Sequence, residues 1–140
     1  MKPRHFTTFA LMALLALAAA CVRAADAGAP NRVVFQVNDD DSRKWNTVLT
    51  NINNVQEELG KVDVAVVVIG PALGMLKAEA LTANKVQDAM AAGVRFVACG
   101  NSMTAQKLEK DDMIDGIAYA RAGYVEIMRL QQQGWTYIRP

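Results

Sequence analysis

Residues 62–69 form an almost unbroken apolar run of valine, alanine and isoleucine, interrupted only by Asp63. A run this short and this apolar is typical of a strand buried on both faces, as in parallel sheets that helices cover on each side. Gly70 and Pro71 follow and favour a turn, with Pro71 suited to the first position of a helix. The run therefore predicts a strand at or near the centre of an α/β sheet.

Segments with strand and helix patterns alternate along the rest of the chain. Strands are predicted at residues 32–37, 62–69, 94–99, 117–120 and 135–138. Asp41 is a suitable helix N-cap, and from there to Gly60 apolar residues recur at spacings of three and four, which predicts a helix. Further helices are predicted at residues 84–92, 104–108 and 124–133. This alternation predicts a three-layer α/β/α sandwich with a mostly parallel five-stranded sheet.

The first 24 residues have the features of a secretory signal peptide. Lys2 and Arg4 precede an apolar run at residues 9–20, which is shorter than the roughly 20 residues of a membrane-spanning helix. Cleavage after Ala24 would leave a flexible leader at residues 25–31 and a single domain at residues 32–140. We therefore expect an exported, periplasmic protein.

A second processing site is open at Cys21. The segment from Leu17 to Cys21 loosely resembles the lipobox of bacterial lipoproteins, in which the cysteine is lipidated and becomes the first residue. In this alternative, and only in this alternative, we expect the protein to associate with a membrane.

Cleavage before Ala25 also restricts the chemistry open to the protein. It removes Lys2, Arg4 and Arg23 but no acidic residue, which leaves 12 basic against 14 acidic residues, so no nucleic-acid partner is expected. It removes the chain's one histidine and leaves Cys99 as the one cysteine. Ser-His-Asp or Cys-His catalysis, Cys-x-x-Cys exchange and a Cys/His zinc site are therefore not expected. We predict no metal site and no cofactor.

Cys99 stands at the predicted carboxyl end of a short apolar strand, directly before Gly100 and Asn101. In open parallel sheets this edge is where ligands bind, which favours a functional thiol. A free cysteine is also among the residues most often buried, where it packs as a small apolar side chain. The position alone leaves both interpretations open.

Several polar or flexible residues are predicted at the same sheet edge. The candidate site consists of the thiol Cys99 and the ligand-binding candidates Gly100, Asn101, Ser102, Asp39, Asp41, Gly70 and Arg121. Backbone N–H groups at residues 100–102 and the Arg121 cation would lower the pKa of the thiol, whereas the carboxylates at residues 39–41 would raise it. Those aspartates form either a solvated turn with a helix cap or a divalent-ion site. Trp45 either packs in the core or contacts a ligand.

Three segments of the chain together resemble the DsrE-like family. They are residues 66–73 (VVVIGPAL), residues 97–103 (VACGNSM), and residues 123–127 with 130–135 (GYVEI and LQQQGW). That family includes proteins of intracellular sulfur oxidation and of sulfur relay for tRNA thiolation. The resemblance implies a flavodoxin-like fold with strand order near 2-1-3-4-5, assembled as a homotrimer or homohexamer.

In the relay members of the family, a cysteine near the end of the third strand carries sulfur as a persulfide. Cys99 occupies the matching position in this chain. The relay proteins are cytoplasmic, whereas this chain has a predicted export signal, so their partners do not carry over.

The leading hypothesis is a periplasmic sulfur carrier. Its Cys99 would accept sulfane sulfur from a donor protein or a small sulfur compound and pass it to an acceptor. Such a protein is a carrier or sulfurtransferase component more than a turnover enzyme.

Two other hypotheses stay open at this stage. In one, the protein is a non-catalytic oligomeric binding module with Cys99 structural and a small ligand held between Asp39, Gly70 and Asn101. In the other, copies of Cys99 meet between subunits and share a metal or a disulfide.

Overall fold

Within residues 30–140, which are the residues that the structure describes, five strands form one sheet and helices connect them. The structure is a computed structural model; the predicted signal peptide, Cys21 and most of the predicted leader lie outside the described residues. The strands are β1 Asn31–Val37, β2 Val62–Val68, β3 Arg95–Cys99, β4 Ala118–Ala120 and β5 Thr136–Ile138. The α-helices are α1 Ser42–Leu59, α2 Ala83–Ala91, α3 Gly100–Ala105 and α4 Gly123–Gln132, and 3-10 helices span Gly70–Leu76 and Lys110–Asp112.

The strands are parallel and lie in the order β4-β3-β2-β1-β5. The α/β class and the five-stranded parallel sheet predicted from the sequence are confirmed, but the strand order near 2-1-3-4-5 is wrong. The first three crossovers each move the chain by one strand in the same direction, and the last returns β5 to the far side of β1, where Val34 pairs with Tyr137. Strand β2 therefore separates β1 from β3.

The apolar run that predicted a central strand forms β2, which is the middle strand of the sheet. In β2, residues 64–68 are all buried, as a strand covered on both faces requires. In β1 the side chains alternate between two clusters of the core. Val33, Phe35 and Val37 pack with α1, α2 and the first 3-10 helix, whereas Val34 belongs to the cluster beneath α4.

The two faces of the sheet are covered unequally. Helices α1, α2 and α3 and the first 3-10 helix contribute to the larger cluster, whereas of the helices only α4 contributes to the smaller one, through Ile127 and Leu130. The outer side of α4 presents Tyr124, Val125 and Met128 to solvent. No helix in the described part of the chain is both long and apolar enough to cross a membrane.

Most predicted helix ends agree with the structure, and two local details differ. Asp41 caps α1 by accepting a hydrogen bond from the N–H of Arg43 at 2.9 Å, and Gly60 ends α1 with φ of 64°. Thr82 precedes α2, but its hydroxyl donates to the carbonyl of Met75 at 3.1 Å instead of capping the helix. Helix α3 begins at Gly100, directly after Cys99, and not at residue 104 as predicted.

Candidate functional site

Cys99 is the last residue of β3 and lies at the carboxyl edge of the sheet, between β2 and β4. Its side chain is nevertheless buried: the residue is 4% exposed and packs with Ile69 and Ile127 in the smaller cluster beneath α4. The thiol is free. The structure therefore combines features of both interpretations of Cys99, because the residue stands at the ligand-binding edge and is also part of the core.

Hydrogen-bond donors surround the sulfur atom of Cys99. The N–H of Gly123, at the start of α4, donates to Sγ at 3.3 Å. The backbone of Asn101 and Ser102, in the first turn of α3, and the Ser102 side chain also lower the pKa of this thiol, although the Asn101 N–H itself donates to the Arg121 carbonyl at 3.0 Å. The start of two helices thus converges on one sulfur, and first-turn N–H groups have no partner within their own helix.

These donors lower the pKa of the thiol. Burial raises the pKa of Cys99, but hydrogen bonds from Ser102, Gly123 and Asn101 outweigh it, and the pKa of the thiol lies below its ordinary value. The donors do so because they stabilise the thiolate and not the neutral thiol. The site therefore makes the thiolate, which is the nucleophilic form of cysteine, easier to form than in an ordinary cysteine.

Gly70 and Ser102, two of the predicted ligand-binding residues, are joined by a hydrogen bond. The N–H of Gly70 donates to the Ser102 hydroxyl oxygen at 2.9 Å, and the Ser102 side chain in turn lowers the pKa of Cys99. The carbonyl of Gly70 accepts from the side-chain amide of Gln106 at 2.7 Å. Gly70 thus acts through Ser102 and does not contact the sulfur itself.

Gly123 is the residue that sequence reasoning missed. A Cβ at this position would lie 2.7 Å from Cγ1 of Ile69 and 3.2 Å from Cβ of Cys99, so only glycine lets α4 approach this closely. Its signal in the sequence is a lone glycine ahead of a helical pattern. A glycine in that position is an ordinary helix start, and nothing in the pattern says that the helix would meet Cys99.

Arg121 meets the site through its backbone. Its carbonyl accepts the N–H of Asn101 at 3.0 Å, which joins the segment after β4 to the start of α3. Its side chain is exposed and lines a depression together with Arg129 and Val125. The pKa of Cys99 is therefore lowered by uncharged donors and not by the Arg121 cation that the sequence suggested.

Asp39 and Asp41 are not brought into the thiol site. Asp39 pairs with Lys44 at 3.0 Å, and Asp41 caps α1 and pairs with Arg43 at 3.4 Å. The strand order that the resemblance implied would put β1 beside β3, but β2 lies between them, and these carboxylates are not among the groups that shift the pKa of Cys99. In the observed order, Asp39, Gly70 and Asn101 follow the three consecutive strands β1, β2 and β3, with Gly70 after the middle one.

The aspartate loop fits the turn-and-cap interpretation, because Asp41 caps α1 and Asp39 pairs with Lys44. Across residues 30–140, no group of three or more Cys, His, Asp or Glu side chains is placed to hold a metal ion. Trp45 belongs to the core: it is 9% exposed, its Nε1 donates to the Asp39 carbonyl at 2.7 Å, and its ring packs against Gly74.

Comparisons with known proteins agree with this fold. The profile of the DsrE/DsrF-like family matches residues 10–140. A solved protein of unknown function from Methanobacterium thermoautotrophicum is 32% identical over 79% of this chain and 99% of its own, with a TM-score of 0.77. No curated protein matches the chain.

Two more distant solved structures share the fold alone. The ychN protein from E. coli is 14% identical over 79% of this chain and 99% of its own, with a TM-score of 0.68. A conserved protein of unknown function from Bacteroides thetaiotaomicron is 10% identical over 79% of this chain and 95% of its own, with a TM-score of 0.64.

Proposed function

The chain belongs to the DsrE/DsrF-like family, and from that membership we propose that it is an exported sulfur carrier that holds sulfane sulfur as a persulfide on Cys99. The family suggests a sulfur-relay role. Cys99 is the one cysteine among residues 30–140, so within this domain it is the one side chain able to carry a persulfide. The proposal is for a carrier that exchanges sulfur with partners and not for an enzyme that releases a product of its own.

The observation that carries the proposal is the hydrogen bond to Sγ of Cys99 at the start of α4. The Gly123 N–H donates to this buried sulfur at 3.3 Å, and the polar groups of Ser102 and Asn101 also lower the pKa of the thiol. A cysteine that served packing alone would gain nothing from donors that stabilise negative charge, because a neutral thiol is a weak acceptor. A carrier needs such donors in both of its states, because the attacking thiolate and the persulfide anion are each negatively charged.

The proposed loading step is a sulfur exchange without net oxidation. The Cys99 thiolate attacks the outer sulfur of a donor persulfide, R–S–SH, and forms a new S–S bond while the S–S bond of the donor breaks. The donor leaves as the thiolate R–S⁻, and the transferred sulfur keeps its proton. Delivery to an acceptor thiolate is the same exchange with Cys99 as the leaving group. Neither step needs an external oxidant or reductant.

A loading assay on the purified protein tests this proposal. We expect intact mass measurement after incubation with glutathione persulfide to show the gain of one sulfur atom, which dithiothreitol removes. Cys99→Ser should gain none while keeping its fold by circular dichroism. In the uncleaved precursor, Cys21→Ser is the matched control, because it removes the other cysteine of the sequence and should load normally. Sulfur uptake by Cys99→Ser would rule the carrier out.

The burial of Cys99 favours a second candidate, a binding module in which the cysteine is structural. At 4% exposure the thiol offers little surface to a donor, and it packs as part of the smaller cluster. In this case Cys99→Ala lowers stability and wild type takes up no sulfur. The same burial disfavours a bond between Cys99 residues of different subunits, because Sγ is covered within its own protomer.

The cell compartment and the assembly belong to the proposal as well. We propose export to the periplasm on the basis of residues 1–24, with a membrane anchor only if Cys21 is lipidated. An intact mass equal to residues 25–140 would exclude lipidation. We propose a homotrimer or homohexamer, supported by the exposed Tyr124, Val125 and Met128 on α4, and sedimentation tests the assembly.

A further inference from the structure

A depression of about 450 Å³ lies on the surface beside Cys99. It is lined by residues 119–122, at the end of β4 and in the turn that follows, and by Val125, Glu126 and Arg129 of α4. The same stretch of chain flanks the thiol. Ala120 is the register partner of Cys99 in the sheet. Ala122 directly precedes Gly123, whose N–H donates to Sγ of Cys99.

The depression lies at one of the two edges of the sheet, beside β4. Strand β4 is an edge strand of three residues and pairs only with β3 in the described sheet. Short edge strands with few ladder hydrogen bonds belong to the less stable end of a fold. A donor seated in the depression is therefore next to β4, the strand that would have to separate from β3 at Cys99 for this edge to open.

The charged groups that line the depression are predominantly positive. Arg121 and Arg129 are exposed and take part in none of the ion pairs found among residues 30–140. The carboxylate of Glu126 is already paired with Arg95 at 3.3 Å. Two guanidinium groups are thus left without a partner on one concave surface.

Other charges gather at the Tyr119 end of the depression. Lys110 lies 4.9 Å from the ring centroid of Tyr119. Burial, together with Asp115 and Asp111, raises the pKa of Tyr119. Apart from Glu126, which is paired with Arg95, the acidic groups named here are therefore at the Tyr119 end, whereas the two arginines line the depression itself.

We propose that this depression binds the anionic group of a small sulfane-sulfur donor, with Arg121 and Arg129 as the residues that select for negative charge. Guanidinium groups bind carboxylates and sulfur or phosphorus oxyanions with two parallel hydrogen bonds, which suits this role. This inference rests on the proposed function, because it names the class of compound that loads Cys99. Carboxylate-bearing persulfides and thiosulfate share the required chemistry.

Two donors of similar size and opposite charge test the selection. The persulfide of 3-mercaptopropionate is anionic and the persulfide of cysteamine is cationic, and both carry the same outer sulfur. We expect wild type to load faster from the anionic donor. Arg121→Gln and Arg129→Gln should each reduce that preference about 2-fold to 5-fold, the size expected for one exposed ion pair. Loading from the cationic donor should not fall.

Lys85→Gln is the matched control, because it removes one exposed positive charge from a different groove, between α1 and α2. It should leave the donor preference unchanged. Equal loading from both donors by wild type, or an effect of Lys85→Gln as large as that of the arginine variants, would overturn the inference.

A binding measurement separates failure of this inference from failure of the carrier function. Thiosulfate is titrated into the protein while backbone amide resonances are followed by NMR. We expect saturable shifts at residues 119–125 that Arg121→Gln weakens. Such shifts without sulfur loading from either donor would leave the anion site in place and overturn the carrier function. Sulfur loading without these shifts and without donor preference would overturn the anion site and leave the carrier function in place.

Discussion

The substitution Gly123→Ala tests whether close contact between α4 and the sheet sets the properties of the thiol. The added Cβ would lie 2.7 Å from Cγ1 and 3.0 Å from Cδ1 of Ile69, and 3.2 Å from Cβ of Cys99. Cδ1 is the flexible end of its side chain, but Cγ1 is not, and Ile69 is 7% exposed. The clash cannot be relieved by a side chain turning into solvent, so α4 must move away from the sheet.

The expected cost is that of overpacking a buried site. Forcing one extra methyl group into a well-packed core costs about 1–3 kcal/mol. For about 110 folded residues, unfolding entropies of roughly 2 cal/mol/K per residue convert this cost into a fall in Tm of about 4–13 °C. The displaced helix also carries the Gly123 N–H away from Sγ, so the pKa of Cys99 should rise.

The matched control is Gly100→Ala, the same substitution on the other side of the thiol. Its Cβ would meet the Ala120 carbonyl at 3.4 Å and Arg121 at 3.5 Å, which is ordinary van der Waals contact, and its φ is not positive. Thermal unfolding and the pH dependence of Cys99 alkylation are measured for both variants, with the unfolded chain as reference. If Gly123→Ala matches Gly100→Ala in Tm and in alkylation midpoint, the close approach of α4 does not control the thiol.

Three further predictions address the donors, the core and the pH dependence. Ser102→Ala removes a donor from Cys99 and the acceptor of the Gly70 N–H, so the alkylation midpoint should move to higher pH and the free energy of unfolding should fall by about 1 kcal/mol. Trp45→Phe removes the hydrogen bond to the Asp39 carbonyl and part of a buried ring, and should lower the free energy of unfolding by about 1–3 kcal/mol while the alkylation midpoint stays unchanged. A thiol whose pKa is lower in the folded chain than in the unfolded chain stabilises the fold above the unfolded pKa, and this stabilisation is lost as pH falls through the folded pKa. Urea denaturation should therefore show a greater stability of wild type relative to Cys99→Ala at about pH 9.5, above the ordinary pKa of a thiol, than at about pH 6. An equal or opposite difference would contradict the lowered pKa.

The elements that the sequence predicted well are those decided by local patterns. The apolar run of β2, the periodicity of α1 between Asp41 and Gly60, and the end of β3 at Cys99 all follow from spacing and from capping residues. Each of these patterns involves residues close together in the chain. They therefore did not depend on how the strands are ordered.

The features that the sequence did not predict depend on contacts between distant segments. No local pattern records that β5 returns to the far side of β1, and the incorrect order placed the carboxylates of Asp39 and Asp41 beside the thiol. The same holds for the bond from Gly123 to Cys99, which joins residues 24 positions apart. Helix α3 begins at Gly100 and not at the predicted residue 104, because the Asn101 N–H donates to the Arg121 carbonyl, a partner that only the folded chain supplies.

The site thus separates two kinds of electrostatic interaction, and salt distinguishes them. The donors that lower the pKa of Cys99 are neutral N–H and O–H groups in contact with a buried sulfur, and dissolved ions screen such short contacts weakly. Arg121 and Arg129 are exposed charges, whose attraction for an anionic donor falls as ionic strength rises. Raising the salt concentration should therefore reduce the preference for the anionic donor while the alkylation midpoint of Cys99 changes little. If the midpoint instead moves to higher pH with salt as steeply as the preference falls, a charged group and not the neutral donors stabilises the thiolate.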